Sequence, residues 1–312
     1  MSRVHLIAIG GGILSALFYL SVKLGTPGAI ILAYLAQLPL FLVGLSMGVV
    51  PAAVASGVAA VAVGAGVNLD AAGLYLLLVV GPVLTLVRQA LLSRPGAIAG
   101  QTIWYPPGHL AGCLSAYGLV MLVGATLLLA ADGGIESAAR DYLDKTLEVL
   151  AAPADQQRFD AMIAALVRFF PAAVIMTWTF MVAINANLAQ NVLAQFGRNK
   201  RPKPEFSGMI LPQWLTTGLA IAVLASLLPG QFGLVAQNAA IILAVPFFLL
   251  GLAMVHAISR RVAVRGLFLV LFYLLLLVFG WPAVLLAGLG FMEQWLGLRR
   301  RFAPPAADKE DE

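Results

Sequence analysis

Long apolar runs separated by short polar stretches make up most of the chain. A helix needs about 20 apolar residues to cross the hydrocarbon core of a bilayer. The pattern predicts ten such helices, at residues 4–22, 29–47, 49–67, 71–92, 108–131, 169–193, 213–229, 232–258, 266–280 and 282–297. The last two form either a helical hairpin or one bent element, because Gly280, Trp281 and Pro282 interrupt them. We therefore expect an all-α polytopic transmembrane helical bundle with eight to ten spans.

One long polar insertion, residues 132–168, divides these apolar runs and carries half of the 14 acidic residues. Leu143 and Leu147, and later Phe159 and Ile163, recur at helical spacing, which predicts two amphipathic helices on the outer face of the membrane. They form either a solvated cap or a lid over a binding cavity. The resulting domains are an amino-terminal five-span bundle at 1–131, the insertion at 132–168, a second transmembrane bundle at 169–300 and a disordered tail at 301–312.

Composition and charge agree with a membrane protein. Hydrophobic residues make up 61% of the chain and charged residues 11%, against about 45–50% and about 25% in soluble domains. The net charge is +5, but the basic residues lie between apolar runs, where they mark topology instead of indicating nucleic acid. With ten spans and an internal amino terminus, all but five of the 19 Lys and Arg residues face the cytoplasm. We therefore expect a membrane protein with both termini cytoplasmic.

A dense group of amides follows the apolar start of the span at 169–193. Asn187, Gln190 and Asn191 recur at helical spacing, and Asn185 lies close by. Amides both donate and accept hydrogen bonds without carrying charge, so this face could bind a polar, uncharged solute. It could equally bond neighbouring helices, which is a common use of amides inside membranes.

The loop before the span at 108–131 is a second candidate for solute binding. It places Trp104, Tyr105 and His109 beside prolines at a predicted membrane boundary. Aromatic residues at such a boundary anchor the protein in the interface, and a functional loop is the alternative. The three histidines show no metal-ligand spacing, so we expect no metal site.

Several motifs that would indicate catalysis are absent from the sequence. It contains no Gly-x-Ser-x-Gly elbow, no phosphate-binding Gly-x-x-x-x-Gly-Lys-Ser/Thr loop and no His-Glu-x-x-His helix. We therefore expect a protein that is not an enzyme and needs no cofactor. Small residues at Ala8, Gly12 and Ala16 form a ridge on the first helix, which permits close helix contact. That contact is either within the chain or with a partner subunit.

The most basic loop of the chain, FGRNKRPKPEF, follows the amide-rich helix. Four cations lie in it, Arg198, Lys200, Arg201 and Lys203. Cation clusters beside a membrane-spanning helix attract anionic lipid, so we predict contact of this loop with lipid or with a cytoplasmic partner.

Three stretches of the chain resemble the DUF2232, or YybS-like, family of uncharacterised bacterial membrane proteins. They are QLPLFLVGLSMG at 37–48, FGRNKRPKPEF followed by LPQWL within 196–215, and FGWPAVLLAGLGFMEQWLGLRRR at 279–301. The family is distantly similar to the substrate-binding S-components of energy-coupling-factor vitamin transporters. That similarity implies a solute-binding subunit that uses a separate coupling subunit and ATPases, with Ala8, Gly12 and Ala16 as the matching docking positions.

Two functions therefore remain open from the sequence. The first is a transport-related protein that binds a small-molecule solute and depends on an external energy source. The second is a membrane scaffold or assembly factor that acts through its basic loop and does not transport.

Overall fold

The apolar runs form helices in the computed structural model, which describes residues 3–98, 100–150, 163–204, 209–260 and 262–296. The chain divides into two compact units, Met1–Pro204 and Glu205–Glu312, and each is described by itself. The sequence-based domain boundary falls earlier, at residue 169. The tail at 301–312 and the three arginines at 299–301 lie outside the described residues.

The first unit contains nine labelled α-helices among its described residues. They are α1 (Arg3–Leu20), α2 (Pro27–Tyr34), α3 (Gln37–Met47), α4 (Val49–Gly66), α5 (Leu69–Tyr75), α6 (Gly81–Ala90), α7 (Pro107–Leu128), α8 (Gly134–Leu150) and α9 (Phe170–Gln195). Short 3-10 turns follow α1 and α7, at Ser21–Leu24 and Ala130–Asp132. Between α6 and α7 lies an antiparallel hairpin, which the sequence analysis did not predict. Its strands are β1 (Ser93–Pro95) and β2 (Thr102–Trp104), with Arg94 opposite Ile103.

The predicted span at 29–47 is broken into α2 and α3, which corrects the expectation of one continuous helix. The backbone N–H of Leu38 donates to the carbonyl of Leu35 at 3.0 Å, one residue closer than in a regular α-helix. Pro39 has no N–H to continue the α-helical pattern. Because the Leu38 N–H bonds Leu35 instead of Tyr34, the carbonyl of Tyr34 is left for a partner outside its own helix.

A second irregularity lies between α5 and α6, where Leu76–Val80 form a single π-helical turn. Pro82 follows it, and a proline removes the hydrogen bond to the carbonyl four residues earlier, which here is Leu78. A π-turn beside a proline is a common way to accommodate this loss. The carbonyl of Leu78 is thereby free to accept hydrogen bonds from other helices.

The ridge of small residues on α1 packs against α4. Ala8 and Ala16 are 1% and 2% exposed, and a Cβ atom added to Gly12 would lie 2.3 Å from the backbone oxygen of Ala55. Only glycine allows the two backbones to approach so closely. Of the two alternatives for this ridge, the structure has the contact within the chain: Gly12 packs against α4, and Ala8 and Ala16 are buried.

The insertion contributes α8 and a helical stretch at 163–167 to the first unit. Ala139, Ile163 and Val167 form a small separate core, against which Leu143, Leu147 and Phe170 pack. The first predicted amphipathic helix is present, whereas most of the second falls on residues 151–162, outside the described residues.

The second unit consists of α10 (Gln213–Ala225), α11 (Gly230–Ser259), α12 (Arg265–Phe279) and α13 (Pro282–Leu296). Helices α12 and α13 meet at an angle of 116°. Two glycines allow α11 and α13 to pack closely. A Cβ atom added to Gly251 would lie 2.0 Å from the backbone oxygen of Leu286, and one added to Gly290 would lie 1.9 Å from the backbone oxygen of Phe247.

In the described part of the chain, seven helical segments are long and apolar enough to cross a membrane, or up to eight if the bent pair α12–α13 is one span. Helix α10 is apolar but has only 13 residues. The predicted fold class, an all-α polytopic helical membrane protein, is confirmed.

Candidate functional site

A buried polar cluster surrounds the π-turn of the first unit. The free carbonyl of Leu78 accepts two side-chain hydrogen bonds, from Gln37 Nε2 at 3.1 Å and from Trp178 Nε1 at 2.9 Å. Tyr117 donates its hydroxyl to the neighbouring Leu77 carbonyl and stacks on the Trp178 ring at 5.4 Å. Side chains of α3, α7 and α9 therefore converge on the irregular backbone that Pro82 creates.

Asn185 performs the same role at the break between α2 and α3. Its Nδ2 donates to the carbonyl of Tyr34 at 2.9 Å and to that of Met181, on its own helix, at 2.8 Å. On α1, Ser15 lies 2.6 Å from the Tyr75 hydroxyl and also donates to the Ala36 carbonyl. The break between α2 and α3 is thus hydrogen-bonded by α9 through Asn185 and by α1 through Ser15.

Two amide oxygens of this cluster have no hydrogen-bond partner among the residues that the structure describes. They are Gln37 Oε1 and Asn185 Oδ1, on side chains that are 0% and 1% exposed. The amide nitrogens of both side chains donate to backbone carbonyls. Rotating either amide by 180° would bring its oxygen against that carbonyl oxygen, so the opposite assignment of nitrogen and oxygen does not supply the missing donor. A buried acceptor without a partner costs about 1–3 kcal/mol, so each of these oxygens calls for a physical explanation.

An open cleft of about 420 Å³ lies beside this cluster. Its walls come from the end of α2 and the first half of α9 and are mainly apolar: Tyr34, Phe170, Ala173, Val174, Thr177, Trp178 and Met181. Asn185 bonds the carbonyls of Tyr34 and Met181, so the buried amide lies directly behind the cleft wall. Such an apolar recess with a few polar groups behind it is typical of small-molecule sites.

The insertion reaches the rim of the cleft. Tyr142 of α8 packs its ring against that of Phe170 at 5.4 Å, and Phe170 also contacts the small core of the insertion. Movement of α8 would therefore act on one wall of the cleft. A solvated cap lying on the bundle would make the same contact, so the choice between cap and lid stays a prediction.

The predicted amide face does not form one surface. Asn185 and Gln190 are buried, whereas Asn187 is exposed. Residues two apart differ by about 200° around a helix, so Asn185 and Asn187 face nearly opposite directions. Gln190 donates to the carbonyl of Arg201 at 2.7 Å, and Asn191 is partly exposed with an unpartnered Oδ1. Of the four, Asn185 is the one that bonds residues of the cleft wall, Tyr34 and Met181.

The described part of the basic loop, residues 196–204, is hydrogen-bonded to the ends of other helices. Arg201 is 5% exposed and donates from Nη1 to the Ala90 carbonyl at 3.2 Å and from Nη2 to the Tyr105 carbonyl at 2.8 Å. Burial lowers the pKa of Arg201. Lys200 donates to the Met47 carbonyl at 2.7 Å. Arg201 is therefore an internal clamp, which corrects the prediction that its side chain contacts lipid or a partner.

The other cations of the loop remain at the surface. Arg198, Lys200 and Lys203 are exposed. The backbone carbonyl of Arg201 accepts a hydrogen bond from Asn199 at 2.7 Å in addition to the one from Gln190, so both the backbone and the side chain of Arg201 hold the loop in place. The predicted contact of these three cations with lipid or a cytoplasmic partner stays a prediction.

The aromatic loop candidates lie with the basic loop and not at the cleft. Trp104 ends β2, and the Tyr105 ring meets that of His109 edge-on at 5.5 Å. Burial raises the pKa of the Tyr105 hydroxyl. Because the Tyr105 carbonyl binds Arg201, these residues support the basic loop.

The sequence pattern did not predict the cleft residues Tyr34 and Trp178, nor Gln37 of the neighbouring polar cluster. Pro82 is the signal that could have found Gln37 and Trp178, since a proline inside an apolar run frees the carbonyl four residues earlier, here that of Leu78. Pro39 could have indicated an irregular helix near Tyr34, although the carbonyl four residues before it is that of Leu35. No group of three or more His, Cys, Asp or Glu side chains that could hold a metal ion occurs among the described residues.

These helices, with their broken spans and buried amide cluster, define a polytopic helical membrane protein that is embedded in lipid. The chain belongs to the DUF2232 family, described as a predicted membrane protein, which matches residues 12–293. No curated protein and no solved structure matches the chain.

Proposed function

We propose that this protein binds a small, largely apolar solute in the cleft between α2 and α9 and takes part in its transport. The observation that carries the proposal is the cleft itself: about 420 Å³, walled by aromatic and aliphatic side chains, beside a helix break with an unsatisfied buried amide. Broken helices with polar groups at the break are the usual construction of solute sites in transporters. The sequence had suggested a polar solute, and the apolar walls argue for a less polar one.

Transport would need an energy source from outside the chain, because the sequence has no nucleotide-binding loop. The resemblance to S-components supports a separate coupling subunit with ATPases as that source. Such a subunit would have to dock elsewhere than the ridge on α1, which α4 occupies. We also propose that the protein catalyses no reaction, in agreement with the missing catalytic motifs.

The charge distribution of the first unit supports a cytoplasmic position for the basic loop. Asp70 lies at the start of the span Leu69–Ala90, and Arg88 lies at its end. All other acids of residues 1–204 fall between Asp132 and Asp160, beyond the end of α7. Since cytoplasmic loops carry the Lys and Arg excess, we propose a bacterial inner-membrane protein with cytoplasmic termini and with the insertion and cleft on the outer side.

The test is to fill the cleft and follow the small molecules that the protein retains. Ala173→Phe adds a ring on the cleft wall, whereas Ile184→Phe adds one at an exposed position of the same helix. Both variants and the wild type are purified in lipid nanodiscs, and their extracts are compared by untargeted mass spectrometry. We expect a molecule retained by the wild type and Ile184→Phe and lost from Ala173→Phe. Identical extracts from all three proteins would refute solute binding in the cleft.

A scaffold or assembly role is the second candidate, favoured by the exposed cations Arg198 and Lys203 on a loop that Arg201 holds in place. Affinity purification from native membranes separates the two functions. Recovery of a membrane subunit with its ATPases supports transport, whereas recovery of other envelope proteins without any ATPase supports the scaffold.

A further inference from the structure

One end of the first unit collects exposed cations, and none of the acidic residues that the structure describes lies there. The contacts of Lys200 and Arg201 bring the ends of α3 and α6, the hairpin and the basic loop together. Five exposed bases lie on these elements: Arg88, Arg94, Arg198, Lys200 and Lys203. Every described acid of the first unit is Asp70 or lies within 132–148, at the other ends of spans Leu69–Ala90 and Pro107–Leu128. We call this group of five bases the cationic face.

Apolar side chains stand exposed among these cations. Phe196 is 74% exposed, two residues before Arg198, and in the segment around the hairpin Leu92 is 44% and Ile98 70% exposed. A free anion would gain nothing from such residues, and a soluble acidic protein would need a matching apolar surface to bury them. A membrane interface accommodates both, because aliphatic and aromatic side chains enter the acyl boundary while cations meet the headgroups.

The backbone of this face is fixed before any ligand binds. Gln190 and Asn199 both donate to the Arg201 carbonyl at 2.7 Å, and the Arg201 guanidinium bonds two further carbonyls. The N–H of Tyr105 donates to the Leu92 carbonyl at 3.0 Å, which closes the hairpin. Preorganised cations lose little entropy on binding, so the exposed groups are ready to hold headgroups in defined positions.

We propose that the cationic face binds anionic phospholipid of the cytoplasmic leaflet, through the phosphate groups that Arg198 and Lys203 reach beside the exposed Phe196. This site is separate from the cleft and does not depend on solute binding. Arg201 is not a lipid ligand in this arrangement; it positions the loop that carries the ligands.

The experiment compares two matched double variants of the full-length protein. Arg198→Gln with Lys203→Gln neutralises one Arg and one Lys of the cationic face. Arg140→Gln with Lys145→Gln neutralises one Arg and one Lys that are exposed on α8. Each protein is purified from detergent into mixed micelles with equal phosphatidylglycerol and phosphatidylcholine, and retained lipids are counted by native mass spectrometry at two salt concentrations.

Each basic residue near an anionic surface contributes about five-fold in affinity at moderate salt. The first double variant should therefore bind phosphatidylglycerol about thirty-fold more weakly, and the α8 variant should bind like the wild type. Equal losses in both variants would overturn the proposal, as would equal retention of the two lipids by the wild type. Unchanged lipid binding with loss of a co-purified protein would also overturn it and assign the face to a protein partner.

Discussion

Arg201 offers the sharpest test of how the first unit is held together. Its side chain is 5% exposed and bonds the carbonyls of Ala90 and Tyr105. Arg201→Met keeps much of the length and apolar bulk but removes both hydrogen bonds. Each bond from a charged donor contributes about 1.5–3 kcal/mol, and the two carbonyls are left without their partner. The substitution also removes the cost of burying the guanidinium charge, and this offsets part of the lost stability.

The net destabilisation expected for Arg201→Met is about 2–4 kcal/mol, which corresponds to a fall of about 5–10 °C in melting temperature for a unit of this size. Arg201→Lys should fall between the wild type and Arg201→Met, because a single ammonium cannot bond two separate carbonyls in the manner of a planar guanidinium.

The control is Arg198→Met, which makes the same substitution three residues earlier at an exposed position. Thermal unfolding of each purified full-length protein is followed in mild detergent, as the fraction that still elutes as a monodisperse species after heating. We expect Arg198→Met to melt within about 1 °C of the wild type, as exposed substitutions usually do. If Arg201→Met also melts within this range, the guanidinium is not a structural clamp and the basic loop is held by its other bonds.

Two further predictions concern glycines at helix contacts, each with a control on the same helix. Gly12→Ala on α1 places a Cβ 2.3 Å from a carbonyl oxygen of α4, whereas Gly10 has open space around it. We expect Gly12→Ala to lower the free energy of unfolding by about 1–3 kcal/mol and Gly10→Ala to leave it unchanged. The same comparison on α13 uses Gly290→Ala, whose Cβ would lie 1.9 Å from a carbonyl of α11, and Gly288→Ala, which meets no atom within 4 Å. Melting temperatures in detergent check both pairs, and equal melting within either pair would contradict the helix contact concerned.

The apolar runs predicted the helical fold well, because a span must satisfy its backbone within itself and its length is set by the bilayer. They did not predict the break before Gln37 or the π-turn before Pro82. The run around the π-turn, LLLVVGPVL at 76–84, is uniformly apolar, so hydropathy does not register the loss of one hydrogen bond inside it. The prolines carry that information, and they were treated as part of the apolar pattern.

The amide residues show a different limit of the sequence. Their spacing correctly placed them on one helix, but spacing alone cannot identify the neighbour that each side chain meets. Asn185 and Gln190 both donate to backbone carbonyls, of Tyr34 and of Arg201, which are 151 and 11 residues away in sequence. Only the tertiary arrangement distinguishes the amide behind a cleft from the amide that supports a loop.

The cleft and the cationic face are connected by one helix. Ala173 lines the cleft near the start of α9, and the basic loop begins directly after its last residue, Gln195. A helix rises about 1.5 Å per residue, so these 22 intervening steps separate the two by about 33 Å along the helix axis, roughly the thickness of the hydrocarbon core. Substitutions that far apart with no shared contacts have additive effects. Loss of solute retention in Ala173→Phe and loss of lipid in the double variant at Arg198 and Lys203 are therefore independent observations, and each tests its own site even if the other site binds nothing.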